Sequence, residues 1–243
     1  MSAPSIAESI GTPAAKKAYN QDLFTRVAAE YDIATRAMSL GRDAAWKRHL
    51  VAALPDHIAP RCLDLATGTG DVAFELSNRY PDAEILGLDL TPAMIEEARK
   101  RNGSCADHVR FEVGDMCETG LPDHWADLIT GSYALRNAPT LETALVEIRR
   151  VLKPDGRAAF LDFAKSSNRL LQELQLALLK GWGGLWGLIV HGRPEHAYIA
   201  ESLRLFPDRV ELRRRLANAG FTLEQTRPFY FGALELMVLR PRR

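Results

Sequence analysis

Acidic side chains around a glycine-rich turn could hold a small cationic molecule. Gly68 and Gly70 lie between Asp64 and Asp71, and Asp89 ends the next apolar run. A pyrophosphate binds at a helix N-terminus because free N–H groups and the helix dipole favour anions there. Two carboxylates at such a turn would repel a phosphate but attract a sulfonium and an ammonium group. These residues therefore favour S-adenosylmethionine as the cofactor.

A dinucleotide is the competing interpretation of the same turn. Gly68-x-Gly70-x-x-Ala73 formally matches the dinucleotide fingerprint, and Asp89 lies about 20 residues further on, where a ribose-binding acid is expected. That pattern alone is weak evidence, and the sequence contains no Tyr-x-x-x-Lys dyad. An NAD-dependent oxidoreductase therefore remains the second hypothesis.

The apolar runs around these residues predict an alternating arrangement of strands and helices. Predicted strands cover Cys62–Ala66, Glu84–Leu90, Val109–Val113, Ala126–Ser132, Arg157–Ala164, Phe221–Arg227 and Phe229–Leu239, the last two around Pro228. The main predicted helices are Ala14–Glu30, one capped by Asp43, one from Asp71, Pro92–Arg101 and Leu141–Leu152. We therefore predict a Rossmann-like, doubly wound α/β sheet of seven mostly parallel strands, with helices on both faces and a C-terminal antiparallel edge hairpin.

Three boundaries in this prediction are specific enough to test. Tyr31-Asp32 should end the first helix, Lys153–Gly156 should close the helix before the fifth strand, and Pro228 should mark the hairpin turn. The region before the first strand is free to fold over the pocket as a lid, and packing against an edge of the sheet is an equal alternative.

The segment Leu170–Val190 is unusually apolar for a chain of this kind. Gln172, Glu173 and Lys180 interrupt it, and so do several glycines, whereas a membrane-spanning helix needs about 20 mostly apolar residues. The sequence leaves open a lid over the acceptor, a surface helix that contacts a membrane through Trp182 and Trp186, a homodimer contact and an ordinary core helix.

Composition limits the class of protein. Lysine plus arginine and aspartate plus glutamate both total 31, so no overall field attracts nucleic acid. The three cysteines have no metal-ligand spacing, so we expect free thiols in a reducing cytoplasm and no metal. No basic region followed by an apolar core begins the chain, and no signal peptide is expected.

Several motifs together resemble one enzyme family. They are Tyr31-Asp32, Ser39-Leu-Gly41, Trp46-Lys-Arg48, Asp64–Asp71 (DLATGTGD), Leu135-Arg-Asn137, Arg150–Pro154 with Gly156, Tyr198–Ser202 (YIAES) and Ala219-Gly-Phe221. From about residue 28 to 240 the chain resembles the ubiquinone/menaquinone biosynthesis C-methyltransferases, within the class I S-adenosylmethionine-dependent methyltransferases. The glycine turn is common to many methyltransferases, whereas its combination with LRN and YxAES is much more specific.

The resemblance implies one domain with five regions. These are a tail (1–13), an N-terminal helical lid (14–55), a cofactor-binding core (56–165), a helical acceptor lid (166–206), and a C-terminal helix with edge strands (207–243). It also implies a set of cofactor-binding residues, namely Asp64, Gly68, Thr69, Gly70, Asp71, Asp89, Leu90, Asp115, Met116 and Ser132. Asp89 would accept the ribose hydroxyls, Asp115 and Met116 would border the adenine, and Ser132 would stand beside the methyl group.

The implied chemistry is methyl transfer to an electron-rich ring. A hydroquinone carbon becomes nucleophilic once one hydroxyl is deprotonated, and Arg136 would stabilise that phenolate because a guanidinium stays charged. Asn137 would orient the ring or the arginine. The acceptor pocket would be formed by Tyr31, Tyr133, Trp182 and Tyr198.

No general base is assigned, because His191 and His196 match no family motif. The chain departs from the family at Gly181–Gly187 and Arg193–Ala197, which leaves methylation of another lipophilic or aromatic molecule, at carbon, nitrogen or oxygen, open. An RNA methyltransferase should show a basic face, and the compact basic cluster Arg213–Arg215 alone does not make one. A non-catalytic cofactor-binding protein is a further alternative.

Overall fold

The fold was established from a computed structural model, which describes residues 10–102, 108–191 and 197–242, with the backbone alone at 180, 182–191 and 197. Its strands are β1 (Arg61–Leu65), β2 (Glu84–Asp89), β3 (Val109–Val113), β4 (Ala126–Ser132), β5 (Leu152–Phe163), β6 (Phe221–Phe229) and β7 (Leu234–Pro241). Its α-helices are α1 (Pro13–Val27), α2 (Tyr31–Met38), α3 (Asp43–Ala52), α4 (Asp71–Arg79), α5 (Pro92–Asn102), α6 (Leu141–Val151), α7 (Arg169–His191), α8 (Ala197–Leu205) and α9 (Arg209–Asn218).

The strands form one sheet in the order β3-β2-β1-β4-β5-β7-β6. The first five strands are parallel, and β7 pairs antiparallel with both β5 and β6. Alternate residues of the central strands enter different cores. Leu63 and Ile129 face one core, which includes α6 and α9, while Cys62 and Leu128 face the other, which includes α3, α4 and α5. The predicted seven-stranded, doubly wound fold is confirmed.

The strand order reverses between β1 and its two neighbours, β2 and β4. In open α/β sheets a ligand crevice forms at such a switch point, outside the carboxyl ends of the strands. The turn after β1, the end of β2 and the loop after β4 all meet there. The fold therefore brings the predicted site residues to one edge of the sheet.

Three predicted boundaries were wrong. The chain does not leave the helical state at Tyr31, because a 3₁₀ turn at Ala28–Glu30 leads directly into α2. The segment Lys153–Gly156 belongs to β5, which starts at Leu152 because that residue pairs with Ala126 before a register shift. Pro228 does not make the hairpin turn. It pairs with Glu235 in β6, an edge strand that tolerates proline, and the turn follows at Tyr230–Gly232.

Helix α7 continues through Gly181 and the glycines after it. Among the residues that the structure describes, no helix is long and apolar enough to cross a membrane.

Replacing Gly70 with alanine should destabilise the protein more than an ordinary glycine substitution. Gly70 has φ 91°, and a Cβ there would lie 2.8 Å from the ring of Phe111. The backbone strain alone costs about 1–3 kcal/mol. Gly120→Ala is the matched control, because Gly120 has φ 72° and nothing within 4 Å of a Cβ. Urea unfolding should show a larger loss for Gly70→Ala, and equal losses would remove the steric argument.

Candidate active site

A small cavity lies at the switch point. It has a volume of about 70 Å³ and is lined by the turn after β1, the ends of β2, β3 and β4, and the helices α1 and α5. Six of the ten predicted cofactor residues line it, namely Gly68, Asp89, Leu90, Asp115, Met116 and Ser132. Small-molecule sites usually measure about 300–1,000 Å³, so a cofactor would need more room than this cavity provides.

The carboxylate of Asp89 fixes the turn at one end of this cavity. It accepts hydrogen bonds from the backbone N–H of Gly68 and of Thr91, both at 2.9 Å, one on each oxygen. Burial raises the pKa of Asp89, and the two N–H groups oppose that shift. Each oxygen keeps a second lone pair, so Asp89 can accept a further pair of hydroxyl donors.

Asp64 lies behind the turn and does not line the cavity. It is 1% exposed and accepts hydrogen bonds from the hydroxyls of Thr67 (2.6 Å) and Thr130 (2.7 Å). Burial raises its pKa to about 6, although both hydroxyls favour the charged form. The structure therefore places a buried carboxyl that titrates near pH 6 directly beneath the turn.

Asp71 is held by cations on neighbouring elements. Lys47 contacts it at 2.9 Å and Arg101 at 2.6 Å, and although burial opposes ionisation, these cations lower its pKa. Thr69 also faces this cluster, because its hydroxyl donates to Asp32 at 2.6 Å. Thr69, Gly70 and Asp71 do not line the small cavity, and their predicted contacts with a cofactor stay predictions.

A charged network joins the lid helices to the core through this cluster. Burial opposes the charge of Lys47, but Asp43 and Asp71 outweigh it and raise the pKa of that lysine. The Tyr133 hydroxyl donates to Asp43 (2.7 Å), and Asp43 forms an ion pair with Lys47 (2.6 Å). Lys47 also pairs with Asp71, which pairs with Arg101. Arg101 in turn pairs with Asp32 (3.1 Å).

Helix α1 closes the other side of the cavity. Its side chains donate hydrogen bonds to the surrounding loops: Lys16 to the carbonyls of Arg136 (2.8 Å) and Ala138 (2.7 Å), Lys17 to Asp115 (2.6 Å), Asn20 to the carbonyl of Asn137 (2.9 Å) and Gln21 to that of Leu90 (3.2 Å). Burial lowers the pKa of Lys16 to about 8. Helix α1 thus packs over this side of the cleft, and the predicted lid function of residues 14–55 stays a prediction.

A second, larger cavity adjoins the first. It has a volume of about 730 Å³ and lies between α1, α2, α7, α8 and the turn after β6. Its walls are mainly apolar, and its few polar groups include Arg136, Asn137 and Tyr198. Four residues line both cavities, namely Phe24, Tyr31, Tyr133 and Asn137. These four form the junction through which a group could pass from one cavity to the other.

Arg136 is a buried cation on the wall of the larger cavity. It is 4% exposed, its guanidinium lies 5.3 Å from the ring centre of Phe163 and 5.8 Å from that of Tyr198, and it donates to the Ser202 hydroxyl. Asp162 lies 3.7 Å from its Nε atom and accepts its backbone N–H at 3.0 Å. Nε itself is buried beside Asp162 and has no hydrogen-bond partner among the described residues.

Two tyrosine hydroxyls, of Tyr133 and Tyr198, form hydrogen bonds at the junction. Tyr133 has φ 58°, which turns the chain sharply after β4, and its hydroxyl donates to Asp43. Burial, reinforced by Asp43, raises the pKa of Tyr133 well above its ordinary value. The hydroxyl of Tyr198 donates to the Asn137 side-chain oxygen at 3.1 Å. Both hydroxyls are therefore protonated donors rather than bases at neutral pH.

The structure brings together most of the predicted acceptor residues. Tyr31, Tyr133 and Tyr198 line the larger cavity with Arg136 and Asn137, whereas the Trp182 side chain lies outside the described residues. His196 also lies outside them, and of His191 only the backbone is described.

Sequence reasoning missed the lid residues that complete both cavities. Asn20 is 5% exposed, lines the small cavity and leaves its Oδ1 atom without a partner among the described residues. The Ser132 hydroxyl is also unpartnered there. Asn20 lies on a helix whose buried face includes Leu23 and Val27, and this polar interruption of an apolar face was the available signal.

Comparison with known proteins identifies the family. The model of the ubiE/COQ5 methyltransferase family matches residues 13–237. The chain belongs to the ubiE/COQ5 methyltransferase family. It is 35% identical over 202 residues to a demethylmenaquinone methyltransferase of Deinococcus radiodurans, covering 83% of this chain and 84% of that protein. It is 36% identical over 221 residues to the ubiquinone/menaquinone biosynthesis C-methyltransferase UbiE of Paracoccus denitrificans, covering 88% and 87%.

Solved structures agree on the fold. A SAM-dependent methyltransferase from Aquifex aeolicus superposes with a TM-score of 0.58 at 16% identity, covering 79% of this chain and 88% of that one. A phosphoethanolamine N-methyltransferase of Haemonchus contortus bound to S-adenosyl-L-methionine gives a TM-score of 0.61 at 12% identity, covering 82% and 53%. The predicted family, the enzyme class and the cofactor, S-adenosylmethionine, are confirmed.

The residues at the small cavity fit that cofactor. Asp89, Asp115 and Asn20 supply acceptor oxygens for hydroxyl, amino and ammonium groups, and Met116 supplies an apolar wall. The orphaned Asn20 oxygen and Ser132 hydroxyl are buried polar atoms that a ligand would satisfy. No group of three or more metal-ligating side chains occurs among the residues that the structure describes.

Proposed function

We propose that this methyltransferase transfers a methyl group to a ring carbon of a lipophilic hydroquinone. The observation that carries the proposal is the pairing of one buried guanidinium, Arg136, with a mainly apolar cavity of about 730 Å³ that meets the cofactor cavity. Relatives named for demethylmenaquinone and ubiquinone/menaquinone methylation support the same acceptor class. An apolar cavity accepts a hydrocarbon tail, and the buried cation, Arg136, receives the charged end of the ring.

Bound cofactor supplies an electrophilic methyl group on a positively charged sulfur. Asp89 would hold its ribose, and Asp115 and Met116 would border its adenine. Asp64, beneath the turn, would contribute negative charge that favours a cationic sulfur. Ser132 ends β4 beside the junction and would lie near the methyl group.

Among the described residues, the group assigned to activate the acceptor acts by charge stabilisation. The guanidinium of Arg136 stabilises a phenolate, because it stays charged and lies on the wall of the larger cavity. The hydroxyl proton leaves to solvent, and the negative charge spreads to the ortho carbon, which would form a bond to the methyl carbon as the bond between sulfur and that methyl breaks. That ring carbon then loses its proton to solvent, and the ring regains aromaticity. Asn137, held by Tyr198, orients the ring at the junction.

Cofactor affinity should fall as the pH drops through about 6. The pKa of Asp64 is about 6 in the free protein, and a nearby positive sulfur favours the ionised form. Binding below that pKa must therefore displace a proton, which weakens it by up to about tenfold per pH unit. Calorimetry should show this loss for S-adenosylmethionine between pH 7 and pH 5, and a weaker loss for uncharged-sulfur S-adenosylhomocysteine.

Asp64→Asn provides the control, because the amide keeps the shape and does not titrate. Its affinity for S-adenosylmethionine should be lower at pH 7 and less dependent on pH. An unchanged pH profile in this variant would show that another group is responsible, and Asp64 would lose its assigned role.

Turnover with a panel of acceptors tests the proposed function. Methyl-labelled cofactor would be incubated with hydroquinones that carry prenyl tails of several lengths, with the matching catechols and with an amine acceptor. We expect C-methylated hydroquinone, located by mass spectrometry and NMR, with KM falling as the tail lengthens. A product methylated at oxygen or nitrogen, or equal KM values for tailless and tailed acceptors, would contradict the proposal.

A further inference from the structure

The mouth of the larger cavity is surrounded by apolar side chains that face solvent. Helix α7 exposes four leucines, namely Leu170, Leu171, Leu174 and Leu178, with exposed fractions of 84%, 57%, 57% and 64%. Their spacing places them on one stripe of the helix, and the charged Glu173 lies off that stripe. Three of the four also line the cavity. Water thus contacts an apolar surface that is continuous with the acceptor site.

Two other segments add side chains to the same surface. Leu40, 63% exposed, lies in the turn between α2 and α3, and Phe231, fully exposed, lies in the turn after β6. Both line the larger cavity. Both also have left-handed backbone conformations, with φ 52° and 53°, which bulky residues rarely adopt. The fold therefore holds large apolar side chains outward at a cost in backbone energy, a feature that marks a functional surface.

Cations lie near this surface in the chain. Arg42 follows the Leu40 turn, and Arg169 precedes Leu170 at the start of α7, off the leucine stripe; both are exposed. Neither forms an ion pair with any of the residues that the structure describes, in contrast to Glu173, which lies 3.8 Å from Arg204. An apolar surface with unpaired arginines in two of its segments fits the interface of a bilayer that contains anionic lipids.

We propose that this surface, the mouth surface, docks the enzyme on an anionic lipid bilayer. It comprises Leu40, Leu170, Leu171, Leu174, Leu178 and Phe231, with Arg42 and Arg169 in the same two segments. The leucine stripe lies in the interface plane, and the arginines contact lipid phosphates. The cavity then opens toward the acyl chains, so that a tailed acceptor enters without crossing water. That last step rests on the proposed function, whereas binding of the protein to lipid does not.

Vesicle flotation with the full-length protein tests the docking. We expect it to float with phosphatidylcholine vesicles that contain phosphatidylglycerol, and to float less at high salt or with phosphatidylcholine alone. Leu170→Asp and Arg169→Glu change residues that do not line the cavity, and together they should lower the bound fraction about tenfold or more. Ile58→Asp is the matched control, because Ile58 is 90% exposed in the loop before β1, at the opposite edge of the sheet.

Different results would contradict the proposed membrane docking and the proposed acceptor class. Turnover of a short-tailed, water-soluble hydroquinone should be unchanged in the Leu170→Asp/Arg169→Glu variant, while turnover of a long-tailed one in vesicles should fall. Equal flotation of the variant and the parent, or no flotation at all, would overturn the docking surface even if hydroquinones are methylated. Light scattering distinguishes a further outcome. If the parent is a dimer that does not bind vesicles, and the double variant is a monomer, the surface binds a second copy of the chain and the docking proposal is overturned.

Discussion

Replacing Arg136 with lysine should lower kcat for the hydroquinone by about 10²–10³-fold, the usual effect of removing one preorganised donor. Lysine keeps a buried positive charge beside Asp162 but loses the planar set of donors that a guanidinium offers. The affinity for S-adenosylhomocysteine should be nearly unchanged, because Arg136 does not line the small cavity. Stopped assays with labelled cofactor give kcat, and calorimetry gives the affinity.

Lysine is the informative substitution because alanine would confuse catalysis with folding. Asp162 is 1% exposed, and burial already raises its pKa despite the neighbouring Arg136. Removing the cation would leave that carboxylate unpaired, which costs about 3–5 kcal/mol of stability. Arg150→Lys on α6 is the matched control, since that arginine is held by Glu147 and Asp123 away from both cavities. A variant of Arg136 with full kcat and a lower Tm would show that the residue is only structural.

Replacing Asp89 with asparagine should weaken cofactor binding by about 1–3 kcal/mol, as expected when paired donors lose a charged acceptor. Asparagine has one acceptor oxygen, whereas Asp89 uses one oxygen for Gly68 and the other for Thr91. It therefore cannot support both backbone groups and two ribose hydroxyls at once. Calorimetry with S-adenosylhomocysteine measures the loss.

Asp127→Asn is the matched control for Asp89→Asn, because it also removes a carboxylate that accepts a hydrogen bond from the backbone. Asp127 accepts the Arg61 backbone N–H at 2.9 Å and lies in β4 far from its carboxyl end. Both variants should lose some stability in urea, but only Asp89→Asn should lose affinity. If the two bind cofactor equally well, Asp89 does not hold the ribose.

The sheet could be predicted from sequence because its signals are local. Each central strand is a short apolar run that ends at, or is followed by, a small or acidic residue, such as Ala66 after β1 or Asp89 at the end of β2. The site's location follows from that pattern, since parallel strands bring their carboxyl ends to one edge. The predicted edge strands were correct in number, although Pro228 was misassigned because a proline on an edge strand resembles a turn.

The helices within the N-terminal segment could not all be predicted in the same way. Helix α2 was missed because Tyr31 and Asp32 interrupt its apolar pattern. Both residues make contacts with parts of the fold that are distant in sequence. Tyr31 lines both cavities, and Asp32 pairs with Arg101 from α5. The cations that neutralise Asp71 are likewise distant in sequence. The carboxylate argument for a cationic cofactor therefore rests on Asp64 and Asp89 more than on Asp71.

The most direct test of the account is a crystal structure with S-adenosylhomocysteine and a prenylated hydroquinone bound together. We expect the sulfur at the junction formed by Phe24, Tyr31, Tyr133 and Asn137, with a ring carbon about 3–3.5 Å from the position of the transferred methyl. The hydroxyl next to that carbon should contact Arg136, and the tail should fill the larger cavity. A ring whose oxygen, rather than its carbon, faces the sulfur would contradict C-methylation, and so would a ring bound away from Arg136.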